Sequence, residues 1–178
     1  PNIPALVARA DAVLADNRYP LFSVPVCEAA TARGIPRVLD FDKPTGFDDV
    51  LLLLSTHVIA SADAAREATG EHDLTAALKK IGQHLNCFLA ITDGAAGYYW
   101  LDGGKVRHGN AFKVDAVDTL GAGDVFHGAF TMMLAETGDE VGAMRFAAAA
   151  AAIKCTRFGG TTGAATREEV EEFLRKRS

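Results

Sequence analysis

Along the chain, short apolar runs alternate with stretches in which apolar residues recur every third or fourth position. Ala12–Ala15, Arg37–Phe41, His57–Ala60 and the run from Cys87 to Thr92 read as strands. Helices are predicted over Phe22–Arg33 (stopped by Gly34), Phe47–Leu54, Ala62–Thr69 and His72–Leu85. Ser61 is the expected N-cap of the third and Gly70 its stop. In the fourth, Leu74, Leu78, Ile81 and Leu85 share one face. D-G-A-A-G then turns the chain, and Tyr98–Leu101 and Lys105–His108 flank Asp102-Gly103-Gly104, a hairpin signal. Phe112–Val117 reads as one more extended segment. Helices follow over Gly123–Glu136, Asp139–Thr156 and Arg167–Arg177, the second carrying a close-packed alanine run. The alternation predicts an α/β fold with a mostly parallel sheet flanked by helices and one local hairpin. No repeat, charge block or linker breaks it, so residues 1–178 are expected to form a single domain.

Composition narrows the function classes. A chain of 178 residues can bury roughly 70% of its unfolded surface and needs no metal or disulfide staple. A net charge of −5 lacks the basic footprint of a duplex nucleic-acid binder, although backbone amides could still hold a single nucleotide. The longest apolar runs, Val50–Leu54 and Phe146–Ile153, fall short of the ~20 residues of a membrane span. Arg9 and Asp11 interrupt the one candidate for a leader, so no signal peptide and no membrane association are expected. Cys27, Cys87 and Cys155 are scattered, as befits small core hydrophobes in a reducing cytoplasm.

The most informative stretch is V-D-T-L-G-A-G-D-V-F-H-G-A-F, from Val117 to Phe130. An extended run reaches Asp118, glycines follow at 121 and 123, and an amphipathic helix starts at once. The first amides of a helix have no partners within it, and the positive end of its dipole faces the same way. Glycines there let a phosphate or a developing oxyanion approach the backbone. Asp124, in the first helical turn, is placed to accept a proton from a hydroxyl beside that phosphate. Taken alone, G-A-G-D fits a plain turn and helix cap equally well, and G-x-G-x-x-G is not met because position 126 is Phe.

The longer string D-T-L-G-A-G-D-V-F-H-G-A-F resembles the signature of the ribokinase/phosphofructokinase-B family of carbohydrate kinases. I-T-D-G-A-A-G at 91–97 is similar to that family's nucleotide loop, and R-F-A-A-A-A-A-A-I-K-C-T-R-F-G-G to its last long helix and glycine turn. R-V-L-D-F-D-K-P and H-V-I-A-S-A-D-A-A-R-E-A-T-G resemble central segments of ketohexokinase-like members. The resemblance implies a three-layer α/β/α sandwich and an ATP-dependent sugar kinase using Mg2+ and, in some members, K+. It implies that Asp124 is the catalytic base and that Gly121, Ala122 and Gly123 form an anion hole. Thr92, Gly94 and Gly97 match the loop beside the ATP phosphates and ribose. The segment with Ala149, Cys155 and Gly159 is expected to border the adenine, although packing alone would account for most of its alanines. Asp118 matches a residue that holds a monovalent cation in some members; a turn-capping role fits it equally.

Two departures from the family pattern stand out. The N-x-x-E motif that organises magnesium is replaced by Ser61 and Ala64, leaving Asp40 or Asp42 as the acidic candidates in the magnesium region. The chain also starts where the family's sugar-binding part and β lid would already have passed, so it is expected to be the C-terminal nucleotide-binding portion. A homodimer formed through that lid is the expected assembly, and a small sugar the expected partner. The ketose leaning rests on Asp40–Pro44. A nucleoside or vitamin kinase of the same superfamily, or a non-catalytic nucleotide-binding module, stays open. His127 is expected to pack or face solvent rather than bind a ligand.

Overall fold

The computed structural model describes residues 2–177, which gather into two compact units. Unit 1 comprises Pro1–Gly94 and Tyr98–Gly109; unit 2 comprises Ala95–Gly97 and Asn110–Ser178.

Unit 1 is built on a six-stranded sheet in the order β1-β2-β3-β4-β5-β6. The strands are Val13–Asp16, Arg37–Phe41, His57–Ser61, Phe88–Thr92, Tyr98–Asp102 and Lys105–Gly109. The first four run parallel and the last two antiparallel, as the sequence pattern predicts. Helices α1 (Ile3–Val7), α2 (Pro20–Ala32), α3 (Val50–Leu54), α4 (Ala62–Thr69) and α5 (Leu74–Ile81) complete the unit. Parallel neighbours need right-handed crossovers, and a strand order that never reverses keeps those crossovers on one face. Register confirms it: Leu39, Val58 and Leu89 form one row, Phe41, Ala60 and Ile91 the next. Cys27, Leu51, Leu52, Ala65, Leu78 and Ile81 pack onto those rows from the helices. Each fully buried aliphatic chain there contributes about 1.5–3 kcal/mol. The sheet edges are β1 and β6. The β5–β6 turn is made by Gly103 and Gly104 at φ 53° and 80°, since a two-residue hairpin turn of this hand needs positive φ at both positions.

Unit 2 is helical: α6 (Ala122–Thr137), α7 (Glu140–Cys155) and α8 (Arg167–Arg175), with a short 3-10 turn at Gly160–Gly163. Its core joins Phe146, Ala149, Ala150, Ile153 and Val170, with Phe112, Met133 and Phe173 packed against them. The alanines of α7 present a low surface, which lets a neighbouring helix approach closely.

Three sequence expectations are corrected. Phe112–Val117 joins no sheet; its end is held because the amides of Val117 and Asp118 both donate to the Cys155 carbonyl, at 2.8 and 3.2 Å. The helix predicted over Phe47–Leu54 starts only at Val50, where the Asp49 carboxylate caps the Leu51 amide. The helix predicted over His72–Leu85 is confined to Leu74–Ile81 by its Asp73 cap and by Gly82. Among the described residues, no helix is long and apolar enough to cross a membrane.

Candidate functional site

The start of α6 is unlike most other helix starts in the chain. Asn2, Asp49, Ser61, Asp73, Asp139 and Thr166 each turn a side-chain oxygen onto the first turn of their helix. At α6 the N-cap is Gly121, in the left-handed region at φ 77° and with no side chain to close the turn. The amide of Ala122 donates to the Thr119 carbonyl at 3.1 Å, and that of Val125 to Gly121 at 3.0 Å. The intervening amides of Gly123 and Asp124 precede the first intrahelical bond, and neither has a backbone acceptor among the described residues. Both residues are exposed, and a Cβ built on Gly123 would meet nothing within 4 Å. At Gly121 a Cβ would come within 3.2 Å of the backbone at Gly160 and Thr161, so that glycine serves packing as well as conformation. The result is an open, positively polarised helix end with a carboxylate, Asp124, beside two free amides. Of the three expected anion-hole residues, Ala122 has its amide committed to the turn, and the Asp124 amide joins Gly123 instead.

Asp118 sits at the entrance to this turn. Its Oδ1 accepts from the Leu120 amide at 2.9 Å. Its Oδ2 accepts from the amides of Gly159 and Gly160, at 3.0 and 3.4 Å, and lies 3.2 Å from Lys154 Nζ. The Lys154 ammonium also donates to the Asp118 carbonyl at 2.8 Å. The Leu120 amide first, then Lys154 and the Gly159 amide, hold the Asp118 carboxyl down to about 2. The Lys154 side chain is 0% exposed. Sequence reading passed over this lysine. Its signal was there, because Lys154 follows the buried Ala147 and Ala150 at helical spacing on α7.

The other residues assigned from sequence take varied places. Ala149 is fully buried in the helical core and presents no surface to a ligand. Cys155 contributes its carbonyl to Val117 and Asp118, and Gly159, at φ 108°, contributes its amide to Asp118. His127 is buried, with Nδ1 2.8 Å from the Gly123 carbonyl. Unit 2 also carries an open cleft of about 530 Å³ lined by Lys113, Val114, Asp115, Thr156, Phe173 and Arg177, which none of the assigned residues borders.

In unit 1, register brings Asp16, Asp40, Ser61 and Thr92 to the carboxyl end of the parallel strands, the end at which α/β sheets gather ligands. Thr92 closes β4, its hydroxyl donating to the Ala60 carbonyl at 3.4 Å. Gly94 and Gly97 follow, at φ 50° and 104°. Asp42 is paired with the Arg18 guanidinium, both side chains being exposed. Ser61 Oγ accepts from the Ala64 amide at 3.2 Å, so the two positions that depart from N-x-x-E make a helix cap. Among the described residues, no three His, Cys, Asp or Glu side chains converge as a metal cage. Magnesium does not require one, since it keeps several waters and binds largely through substrate phosphates.

Residues 25–167 match the model of the pfkB family carbohydrate kinases. The chain is 33% identical to a ribokinase of Haemophilus influenzae over 96% of its own length, covering 58% of that protein. It is 45% identical to a Bacillus subtilis ribokinase over 86 residues, which are 48% of this chain and 29% of that one. A crystal structure from Agrobacterium tumefaciens, provisionally described as a ribokinase, superposes with a TM-score of 0.90 at 39% identity. It covers 97% of this chain and 58% of that one. The chain thus spans less than two thirds of the length of the relatives it matches.

Proposed function

The chain belongs to the pfkB family of carbohydrate kinases, and from that premise we propose that it supplies the nucleotide-binding and phosphoryl-transfer portion of an ATP-dependent sugar kinase. The observation that carries the proposal is the uncapped start of α6, where the free amides of Gly123 and Asp124 adjoin an exposed carboxylate. Phosphoryl transfer asks a protein mainly for positioning and for stabilisation of charge on the transferred group. The amides of Gly121, Gly123 and Asp124, with the helix dipole behind them, receive the γ-phosphoryl oxygens. The Asp124 carboxylate accepts the proton of the attacking sugar hydroxyl. The hydroxyl oxygen then bonds to the γ-phosphorus while the bridging bond to ADP breaks. Magnesium bound to the nucleotide would neutralise phosphate charge, and Asp40 and Asp42 of unit 1 are the acidic candidates proposed for its region. Thr92, Gly94 and Gly97 are the proposed neighbours of the ATP phosphates and ribose.

For the acceptor, the names of the relatives favour ribose over a ketose. The test is ATP-dependent phosphorylation of a panel holding ribose, deoxyribose, fructose and a nucleoside, with Asp124→Asn alongside. Turnover on a pentose, lowered about 10²–10⁴-fold in Asp124→Asn, supports the reading. Nucleoside-restricted turnover moves the protein to a nucleoside kinase. ATP binding with no transfer makes the chain a binding module, and near-normal turnover in Asp124→Asn removes the base assignment.

A further inference from the structure

We propose that Lys154 is a cation built into the phosphate site, and that its ammonium does the work a bound monovalent ion would do at Asp118. The proposal rests on the reading of the Gly121–Asp124 turn as the phosphate-binding turn.

A buried ammonium is costly unless it is paired and fully hydrogen-bonded. Lys154 is paired through one residue, donating to the Asp118 carbonyl and facing the Asp118 carboxylate. A backbone carbonyl and a carboxylate oxygen converging on one positive centre is also a donor set that suits a hard cation. Here the centre is a nitrogen covalently held on α7. The remaining capacity of the carboxylate is spent on the amides of Leu120, Gly159 and Gly160. A potassium ion at the same oxygens would lie against a second positive charge with little solvent between them, so these residues do not fit one.

The placement gives the charge a role beyond packing. Lys154 and Asp118 tie together three segments: the end of the 112–117 stretch, the last turn of α7 and the Gly159–Gly160 turn. Those segments abut Gly121, where a Cβ would press on the backbone of Gly160 and Thr161 at 3.2 Å, closer than ordinary contact. Gly121 in turn sets the direction of the Gly123 and Asp124 amides. Lys154 is therefore a positioning residue: it touches no substrate, and it fixes the turn that does.

Turnover and melting temperature of the wild-type protein and of Lys154→Ala, which removes the charge and leaves room for an ion, are measured at equal ionic strength in potassium chloride and in tetramethylammonium chloride. Wild-type kcat should differ by less than about twofold between the salts, while Lys154→Ala should lose at least about tenfold in tetramethylammonium and regain much of it in potassium. KM for the sugar should move little, and potassium should raise the melting temperature of the variant alone. A wild-type enzyme that needs potassium overturns the proposal, and this arm stands even if the variant does not fold. So does a variant slowed equally in both salts, which would leave Lys154 a packing role. If no sugar is phosphorylated in either salt, the kinase reading fails, and the melting comparison still decides the role of Lys154.

Discussion

Helices α6 and α8 lie in the same unit and begin in opposite ways. At α8, Thr166 Oγ1 accepts from the Glu169 amide at 3.4 Å, and the Glu169 carboxylate accepts from the Thr166 amide at 2.8 Å. Arg157 then covers that carboxylate at 2.6 and 3.1 Å. Thr166 and Glu169 thus close the start of α8 on each other in a reciprocal capping box. At α6 the cap has no side chain, and the acidic residue of the first turn bonds to none of the free amides. An N-cap is worth about 0.5–2 kcal/mol, so leaving it off is a cost that the rest of the unit must offset. The binding role proposed for α6 rests on the bonds its start does not make to itself.

That contrast can be broken in graded steps. The largest effect is expected at Asp124, whose change to Asn should cost turnover about 10²–10⁴-fold while leaving the helix start intact. Gly121→Ala comes next. It places a side chain at φ 77° and against the Gly160 backbone, and should destabilise by about 1–3 kcal/mol in a urea melt. Gly123→Ala should separate stability from binding. Its φ is ordinary and its surroundings are open, so the melting temperature should hold or rise. Affinity for ATP should nevertheless fall about tenfold, because the methyl group stands where a phosphate must approach. A Gly123→Ala protein that binds ATP normally would show that the free amides are not used. Smallest is Thr166→Ala at α8, which should lower stability by about 1 kcal/mol and the melting temperature by about 2–4 °C, with kcat unaltered.

The same contrast explains what could be read from the sequence. Strands β1–β4 announce themselves as short apolar runs, and the Ser61 cap and Gly70 stop lie where local chemistry puts them. Phe112–Val117 has the same apolar look, yet one carbonyl, that of Cys155, holds its end in place of a ladder. Helix α1, five residues opened by Asn2 and a proline, is too short for periodicity to register. The glycines and Asp124 were legible because their residue types are unusual at a helix start. Lys154 is easy to pass over despite its spacing on α7, because a lysine near a helix C-terminus is ordinarily a solvated one. Its partner, Asp118, lies 36 positions earlier, a pairing that no local pattern encodes.

Sheet order also carries a consequence for assembly. Each strand of unit 1 pairs with its neighbour in the chain, so the sheet can grow one step at a time. The entrance to the Gly121–Asp124 turn is wired differently: Asp118 is tied to Gly159 and Gly160, 41 and 42 positions away. Closing so long a loop costs chain entropy before any bond repays it. The α6–α7 hairpin must therefore come together before the turn has a shape, so the phosphate binding proposed for it would arrive with the completed unit rather than with any fragment of it.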